Sequence, residues 1–168
     1  LNKSVLGTSN VPETINLTIL KHASNSHAKV NFYSPDELEK LGLSSKNLLA
    51  NSVEISLDEI KNYTSSSSKT ANLVKSVELY DNLELLKDNV CIIDTPGIDD
   101  AVVLREQITT NFMRDCDLLA HLMNASQSAT QKDALFLKKC LENSHIVRLA
   151  VVLTHADELS AKELNETL

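Results

Sequence analysis

Two short stretches combine residue types that together do chemistry. Asp94-Thr95-Pro96-Gly97 follows the apolar run Val90-Cys91-Ile92-Ile93, and Thr154-His155-Ala156-Asp157 follows the apolar run 147–153. A carboxylate directly after a buried strand emerges at the strand's end, where Asp94 would hold a hard cation such as Mg²⁺ directly or through a water. Thr95 and Pro96 would fix the turn, and Gly97, lacking a Cβ, would let its backbone N–H reach a terminal phosphate oxygen. In the second stretch the carboxylate of Asp157 would accept hydrogen bonds from the ring N–H and amino group of guanine, a donor pair that adenine does not present. Both stretches also have ordinary structural readings. Pro and Gly build tight turns, and an Asp after a strand often caps the next helix. What sets the two apart is their shared position, because open parallel sheets bind ligands at the carboxyl ends of their strands.

The elements that must hold these loops follow from periodicity. Residues 1–7 read as a helix end, stopped at Gly7. From Thr14 to Lys21, Ile15, Leu17 and Ile19 alternate with Asn16 and Thr18, and residues 28–33 form a second run, predicting two strands paired antiparallel. Ser34-Pro35-Asp36-Glu37 has the order of a capped helix start, with Ser34 as N-cap and Glu37 reaching back. Residues 42–72 read as short helical pieces ending in a surface loop at 65–68, and residues 73–79 as an edge strand. Three short apolar runs, 90–93, 118–123 and 147–153, separated by helical segments, predict a parallel sheet. The helix predicted over 127–143 turns Ala134, Leu137 and Leu141 toward that sheet.

Composition narrows the function classes. The 168 residues carry a formal net charge of −7, which opposes the broad positive surface that nucleic-acid binding requires. Cys91, Cys116 and Cys140 are odd in number, have no metal-ligand spacing, and fit a reducing cytosolic compartment. Cys91 reads as a small core residue of its strand. His22, His27, His121 and His145 are dispersed without ligand spacing and read as ordinary surface or core residues. Asp99 and Asp100 read as partners of a helix N-terminus. The sequons Asn16-Leu17-Thr18 and Asn124-Ala125-Ser126 read as accidents of an Asn- and Ser-rich sequence. No apolar run approaches the roughly 20 residues that cross a bilayer.

The Asp-Thr-Pro-Gly and Thr-x-x-Asp pair resembles the third and fourth motifs of GTPases, and within them the dynamin-like branch. The stretch from Leu1-Asn2 through Gly7 and Val11-Pro12-Glu13-Thr14, running into the strand Ile15 to Lys21, is similar to that family's segment after the phosphate loop. The long insertion between Thr14 and Asp94 is similar too, as is Val74-Lys75-Ser76-Val77-Glu78-Leu79 leading toward the Asp94 strand. The resemblance implies an α/β, three-layer P-loop-type GTPase domain with a mostly parallel sheet and an antiparallel strand pair near the N-terminus. By the same resemblance Thr14 is the switch threonine that binds Mg²⁺ and orients the attacking water. Gly97 shares the catalytic role, with Asp94, Thr95, Pro96 and Gly97 on the phosphate and Mg²⁺ side. Thr154, His155 and Asp157 hold guanine.

The sequence departs from the family pattern in places. No Gly-x-x-x-x-Gly-Lys-Ser/Thr occurs, since Gly7, Gly42 and Gly97 are the only glycines. His155 stands where the family has Lys or Arg. The expectation is therefore a partial GTPase domain spanning 1–168, cut at both ends, with the phosphate loop just before Leu1 and the fifth motif beyond Leu168. The implied whole is a GTP-binding, GTP-hydrolysing protein of membrane remodelling that uses GTP/GDP and Mg²⁺. It would be cytoplasmic, peripheral to a membrane bound through other regions, and would self-associate or pair with a related dynamin-like subunit. The fragment alone would be inactive. His155 keeps open a non-hydrolysing assembly module with a degenerate GTPase fold; a ribosome- or RNA-associated GTPase is disfavoured by the acidic balance.

Overall fold

Apolar–polar alternation does make strands of both N-terminal runs, β1 (Leu17–His22) and β2 (His27–Phe32), but they are not paired with each other. The strand β4 (Val74–Asp81) lies between them, parallel to β1 and antiparallel to β2. The computed structural model describes residues 16–44, 50–65, 68, 70–95, 116–127, 129–143, 148–160, 162–163 and 165. The chain divides into two compact units, Leu1–Arg105 and Glu106–Leu168. The expected helix end at 1–7, Thr14, Pro96, Gly97, Asp99, Asp100 and His145 lie outside the described residues.

The sheet of the first unit has the order β3-β2-β4-β1-β5, where β3 is Ser52–Ile55 and β5 is Ile92–Asp94. Two expectations are corrected here. Residues 74–81 form the central strand rather than an edge, because Val74, Ser76, Val77, Leu79 and Asp81 are all buried. The Asp94 strand runs antiparallel to β1, not within a parallel set, so the sheet is mixed while the α/β class stands. The stretch read as helical pieces yields one strand, β3, before a 3₁₀ turn at Leu57–Glu59 and α2 (Ile60–Thr64).

Register sorts the sheet into two faces. Leu20, Ala28, Val30, Ile55, Val77 and Leu79 point to one side and form the core together with Val74 and Leu86. Ala28 and Val30 are fully buried, and each such Val or Leu contributes about 1.5–3 kcal/mol by leaving water. Leu57, Ile60 and Tyr63 pack on this face, with Tyr63 tilted against Phe32 at 6.2 Å between ring centroids. The helix α1 (Pro35–Lys40) starts as its sequence dictates: Ser34 Oγ accepts from the Glu37 N–H, and Glu37 Oε2 accepts from the Ser34 N–H. Lys75 Nζ donates to Glu37 Oε1 at 2.7 Å, fastening that cap to the central strand.

The opposite face carries a polar cluster around Glu78. Its carboxylate accepts from Lys21 Nζ at 2.7 Å, Asn31 Nδ2 at 3.0 Å and Tyr80 Oη at 2.5 Å, so one side chain ties β1, β2 and β4. His27 stacks on Tyr80 with ring centroids 4.5 Å apart. Burial works to raise the pKa of Glu78, but the bonds from Lys21, Tyr80 and Asn31 outweigh it and hold it at about 2.

The second unit contains β6 (Leu118–Asn124) and β7 (Arg148–Thr154), paired in parallel as the sequence predicts. The helix α3 (Gln131–Asn143) begins four residues later than 127 because Thr130 and Asp133 cap each other: Thr130 Oγ1 donates to Asp133 Oδ2 at 2.6 Å and accepts from the Asp133 N–H at 3.2 Å. Its inward face is Asp133, Phe136, Leu137 and Cys140. Ala134 and Leu141 are exposed, a rotation from the expected face that follows from Phe136 packing on His121. Among the described residues no helix is long and apolar enough to cross a membrane.

A depressed glutamate pKa stabilises the fold above its unfolded value, roughly 4.3, and that stability is lost as pH falls toward the folded value. Glu78→Gln should therefore lower the unfolding free energy measured by urea titration at pH 7, by about 1 kcal/mol after allowance for solvent screening. The gap to the parent protein should narrow at pH 3. A gap that stays constant from pH 7 to pH 3 would contradict this account of the cluster.

Candidate functional site

Asp94 is the last residue of β5, and the path to it is set by local chemistry. After β4, a 3₁₀ turn at Glu84–Leu86 buries Leu86, and Asp88 and Asn89 then take φ 58° and 64°. Two consecutive left-handed residues, closed by the Val90 N–H donating to Lys87 O at 3.3 Å, make the tight turn that admits Asp and Asn at its centre. β5 then runs back along β1, with Leu20 opposite Ile92, Ile19 opposite Ile93 and Thr18 opposite Asp94. Asp94 thus closes the row that Leu20 and Ile92 begin, and carboxylate replaces hydrocarbon where the strand ends. Asp94 and Thr95 are both half-buried. Cys91, expected in the core, is exposed at the start of this strand. Thr14, Pro96 and Gly97, the other phosphate-side candidates, lie outside the described residues.

In the second unit Thr154 is the last residue of β7, opposite Asn124 at the end of β6. Its Oγ1 donates to the carbonyl of Met123 at 3.1 Å, so the side chain expected to help hold guanine fastens one strand end to the other. His155 turns left-handed at φ 56° and ψ 24°, which ends the strand. For a residue other than Gly this conformation is uncommon and costs on the order of 1 kcal/mol, so surrounding contacts must hold it. His155 Nδ1 lies 3.1 Å from Glu158 Oε1, and a 3₁₀ turn, Ala156–Glu158, follows at once. Asp157 sits on that turn and is exposed to solvent.

The described structure therefore brings Thr154, His155 and Asp157 together in one loop and places Asp94 and Thr95 in another. The donor chemistry fits the implied ligands. Mg²⁺ takes oxygen ligands and is held by one or two carboxylates together with phosphates and waters, a donor type that the Asp94 carboxylate would match. Among the described residues no group of three or more His, Cys, Asp or Glu is gathered for a metal. Asp157 is exposed on a short turn, and a carboxylate there would have both oxygens to accept with.

Sequence reasoning missed two features beside Thr154. Asn124, read as part of an accidental sequon, accepts at Oδ1 from the Ser126 N–H at 3.0 Å and Oγ at 2.8 Å and so turns the chain away from β6. His121, read as an ordinary histidine, is buried against α3 and paired with Asp133 at 3.0 Å. The signal for the second was present: Thr130-x-x-Asp133 has the spacing of a helix-start box.

Known proteins place the chain in context. It is 42% identical, over 193 residues and 100% of its own length, to Dynamin-like protein 1 of Campylobacter jejuni subsp. jejuni serotype O:23/36 (strain 81-176). It is 26% identical over 115 residues, 67% of its length, to an uncharacterized protein in the xynA 3′ region of Caldicellulosiruptor sp. (strain Rt8B.4). Two solved chains from an oligomerised bacterial dynamin pair, described as providing a mechanism for the long-range sensing and tethering of membranes, match with TM-scores of 0.72. Their identities are 40% and 38%, over 96% and 97% of this chain. This chain spans only 25–30% of the length of these relatives, 26% and 28% of the two curated proteins and 25% and 30% of the two solved chains. The family model described as Dynamin family matches residues 1–156, which include the Asp94 loop and the second loop as far as Ala156, and on that match the chain belongs to the dynamin family.

Proposed function

We propose that this chain is part of a GTPase domain, and that the whole protein binds and hydrolyses GTP during membrane remodelling. The observation that carries the reading is the pair of strand-end loops, Asp94-Thr95 closing β5 and Thr154-His155-Ala156-Asp157 closing β7, in a chain whose family match runs through residue 156. In this reading Asp157 accepts from the guanine edge, and the tie from Thr154 to Met123 keeps that loop at a fixed height above the sheet. Asp94 and Thr14 would hold Mg²⁺, which would supply positive charge against the charge that develops on the phosphates. Thr95 and Pro96 shape the turn from which the Gly97 N–H donates to the terminal phosphate, and Thr14 orients the attacking water. Phosphoryl transfer asks little covalent chemistry of the protein, so positioning and donors are the contribution expected of these residues.

A solved relative is described as an oligomerised pair that tethers membranes, which supports self-association or pairing with a related subunit for this protein. Membrane contact then belongs to regions outside residues 1–168, the chain being one partial domain of a protein that is cytoplasmic and peripheral to a membrane. His155 favours one second reading, a non-hydrolysing assembly module. The family's Lys or Arg packs its aliphatic stem against the base, whereas this imidazole lies beside Glu158.

Two measurements test the proposal. In the full-length protein, Asp157→Asn should reduce the preference for GTP over ATP by at least about tenfold, since a charge-assisted acceptor becomes partly a donor. Unchanged discrimination would reject the assigned role. The 168-residue chain by itself has no phosphate-binding Gly-Lys loop, and calorimetric titration with GTP should show no saturable heat at micromolar concentrations. Tight binding there would mean that other residues anchor the phosphates.

A further inference from the structure

The strand β3 forms one edge of the first unit's sheet, and its register fixes which of its backbone groups face outward. The Phe32 N–H donates to Asn51 O at 2.9 Å, in the same register that sets Val30 opposite Val53 and Ala28 opposite Ile55. In an antiparallel ladder every second residue turns both its N–H and its carbonyl to the neighbouring strand. Asn51, Val53 and Ile55 therefore face β2, and the N–H and carbonyl of Ser52 and of Glu54 point away from the sheet. The next outward residue is satisfied by its own chain, since the Ser56 N–H donates to Glu59 Oε2 at 2.9 Å. Among the described residues no second strand lies along Ser52 and Glu54, and Glu54 is exposed.

Edge strands that must stay single are commonly blunted by lysine, proline or a bulge. Ser52-Val53-Glu54-Ile55 has none of the three, and its pairing with β2 runs without a register shift. Its two faces also differ. Val53 and Ile55 belong to the core side, where Val53 is only partly buried, and Ser52 and Glu54 share the polar side with Asn31 and Lys29. A strand that continues both faces must carry an apolar residue flanked by polar ones, and β3 itself has that pattern. Turned about a two-fold axis at Val53, a second β3 sets Ser52 opposite Glu54 of the second copy and Glu54 opposite Ser52, each pair exchanging N–H and carbonyl. Neither carboxylate then directly faces another, and each has Lys29 opposite it on its own β2. Val53 meets Val53 of the second copy, so the partly open core side continues across the join.

We infer that β3 is a self-association edge, which pairs antiparallel with β3 of a second copy in this one register. The inference rests on the self-association proposed above and names its surface, and it does not depend on the nucleotide roles. Two such pairs make a small contact, weak when alone, that becomes effective where other regions of the protein already hold copies close together.

The test uses the full-length protein. Across the join Val53 forms a non-hydrogen-bonded pair, with Cα atoms about 4.5 Å apart and so within disulfide reach. Val53→Cys should give a covalent dimer on mild oxidation with diamide, beyond any that the parent protein gives. Ser52→Cys should not, because Ser52 and its copy lie diagonally, roughly 7–8 Å apart. Glu54→Pro removes an outward N–H and no bond to β2, so in the Val53→Cys background it should cut the dimer yield by at least about fivefold while the melting temperature moves by only a few degrees. Hydrogen exchange of the parent, read in the peptide that spans β3, should slow as protein concentration rises. That measurement needs no substitution and decides alone if Val53→Cys fails to fold. Self-association seen by light scattering without concentration-dependent protection, or with Val53→Cys dimers that Glu54→Pro leaves unchanged, would overturn the inference while the self-association reading stands. Protection that persists at every dilution would overturn it too, because another segment of the same chain then fills the edge. A protein that stays monomeric at all concentrations would defeat both.

Discussion

The first unit depends on one strand being shared. β1 and β2 each expose a row of backbone donors and acceptors along their inner edge, and burial makes an unpaired row prohibitively costly. β4 satisfies both rows at once, parallel on one side and antiparallel on the other. Its own sequence suits that place, with Val77 and Leu79 turned into the core and Glu78 and Tyr80 turned to the polar face. Glu78 then repeats on the side-chain level what the backbone does, drawing donors from β1, β2 and its own strand. With β1 held in this way, its outer edge is free to receive β5, and Asp94 is delivered to the end of the row. The position of a candidate Mg²⁺ ligand is therefore a consequence of where β4 sits.

Much of this was legible in the residues, and the parts that were not share a cause. Local signals were accurate. Ser34 to Glu37 formed the helix cap they spell, the runs at 118–123 and 147–153 formed a parallel pair, and the chain joined the family its two motifs resemble. Partnerships between distant residues were the failures. Residues 15–21 and 28–33 look like a hairpin because only a short polar turn separates them. Nothing within that stretch announces the later strand, Val74–Asp81, that will part them. The same blindness made Val74 to Leu79 look like an edge, since imperfect alternation there reflects burial on both faces. On α3 Leu137 faces inward as read, while Asp133, Phe136 and Cys140 take the places expected of Ala134 and Leu141, because Phe136 packs on His121.

At the candidate site the motif residues were readable and their support was not. Asp157 and Asp94 announce themselves by following apolar runs. His121 and Asp133 meet only when β6 and α3 come together. Residues that touch a ligand are constrained by its chemistry and so recur as short patterns. Those that hold them in place need only the right reach, and many sequences supply it.

The shared strand also sets the order in which this unit assembles. Residues 17–32 can meet early as a simple hairpin, which closes in microseconds. The native arrangement needs that pairing to be absent when residues 74–81 arrive, with Lys21 and Glu78 separated by 57 positions along the chain. A β1–β2 ladder formed early would have to open before β4 could take its place between them.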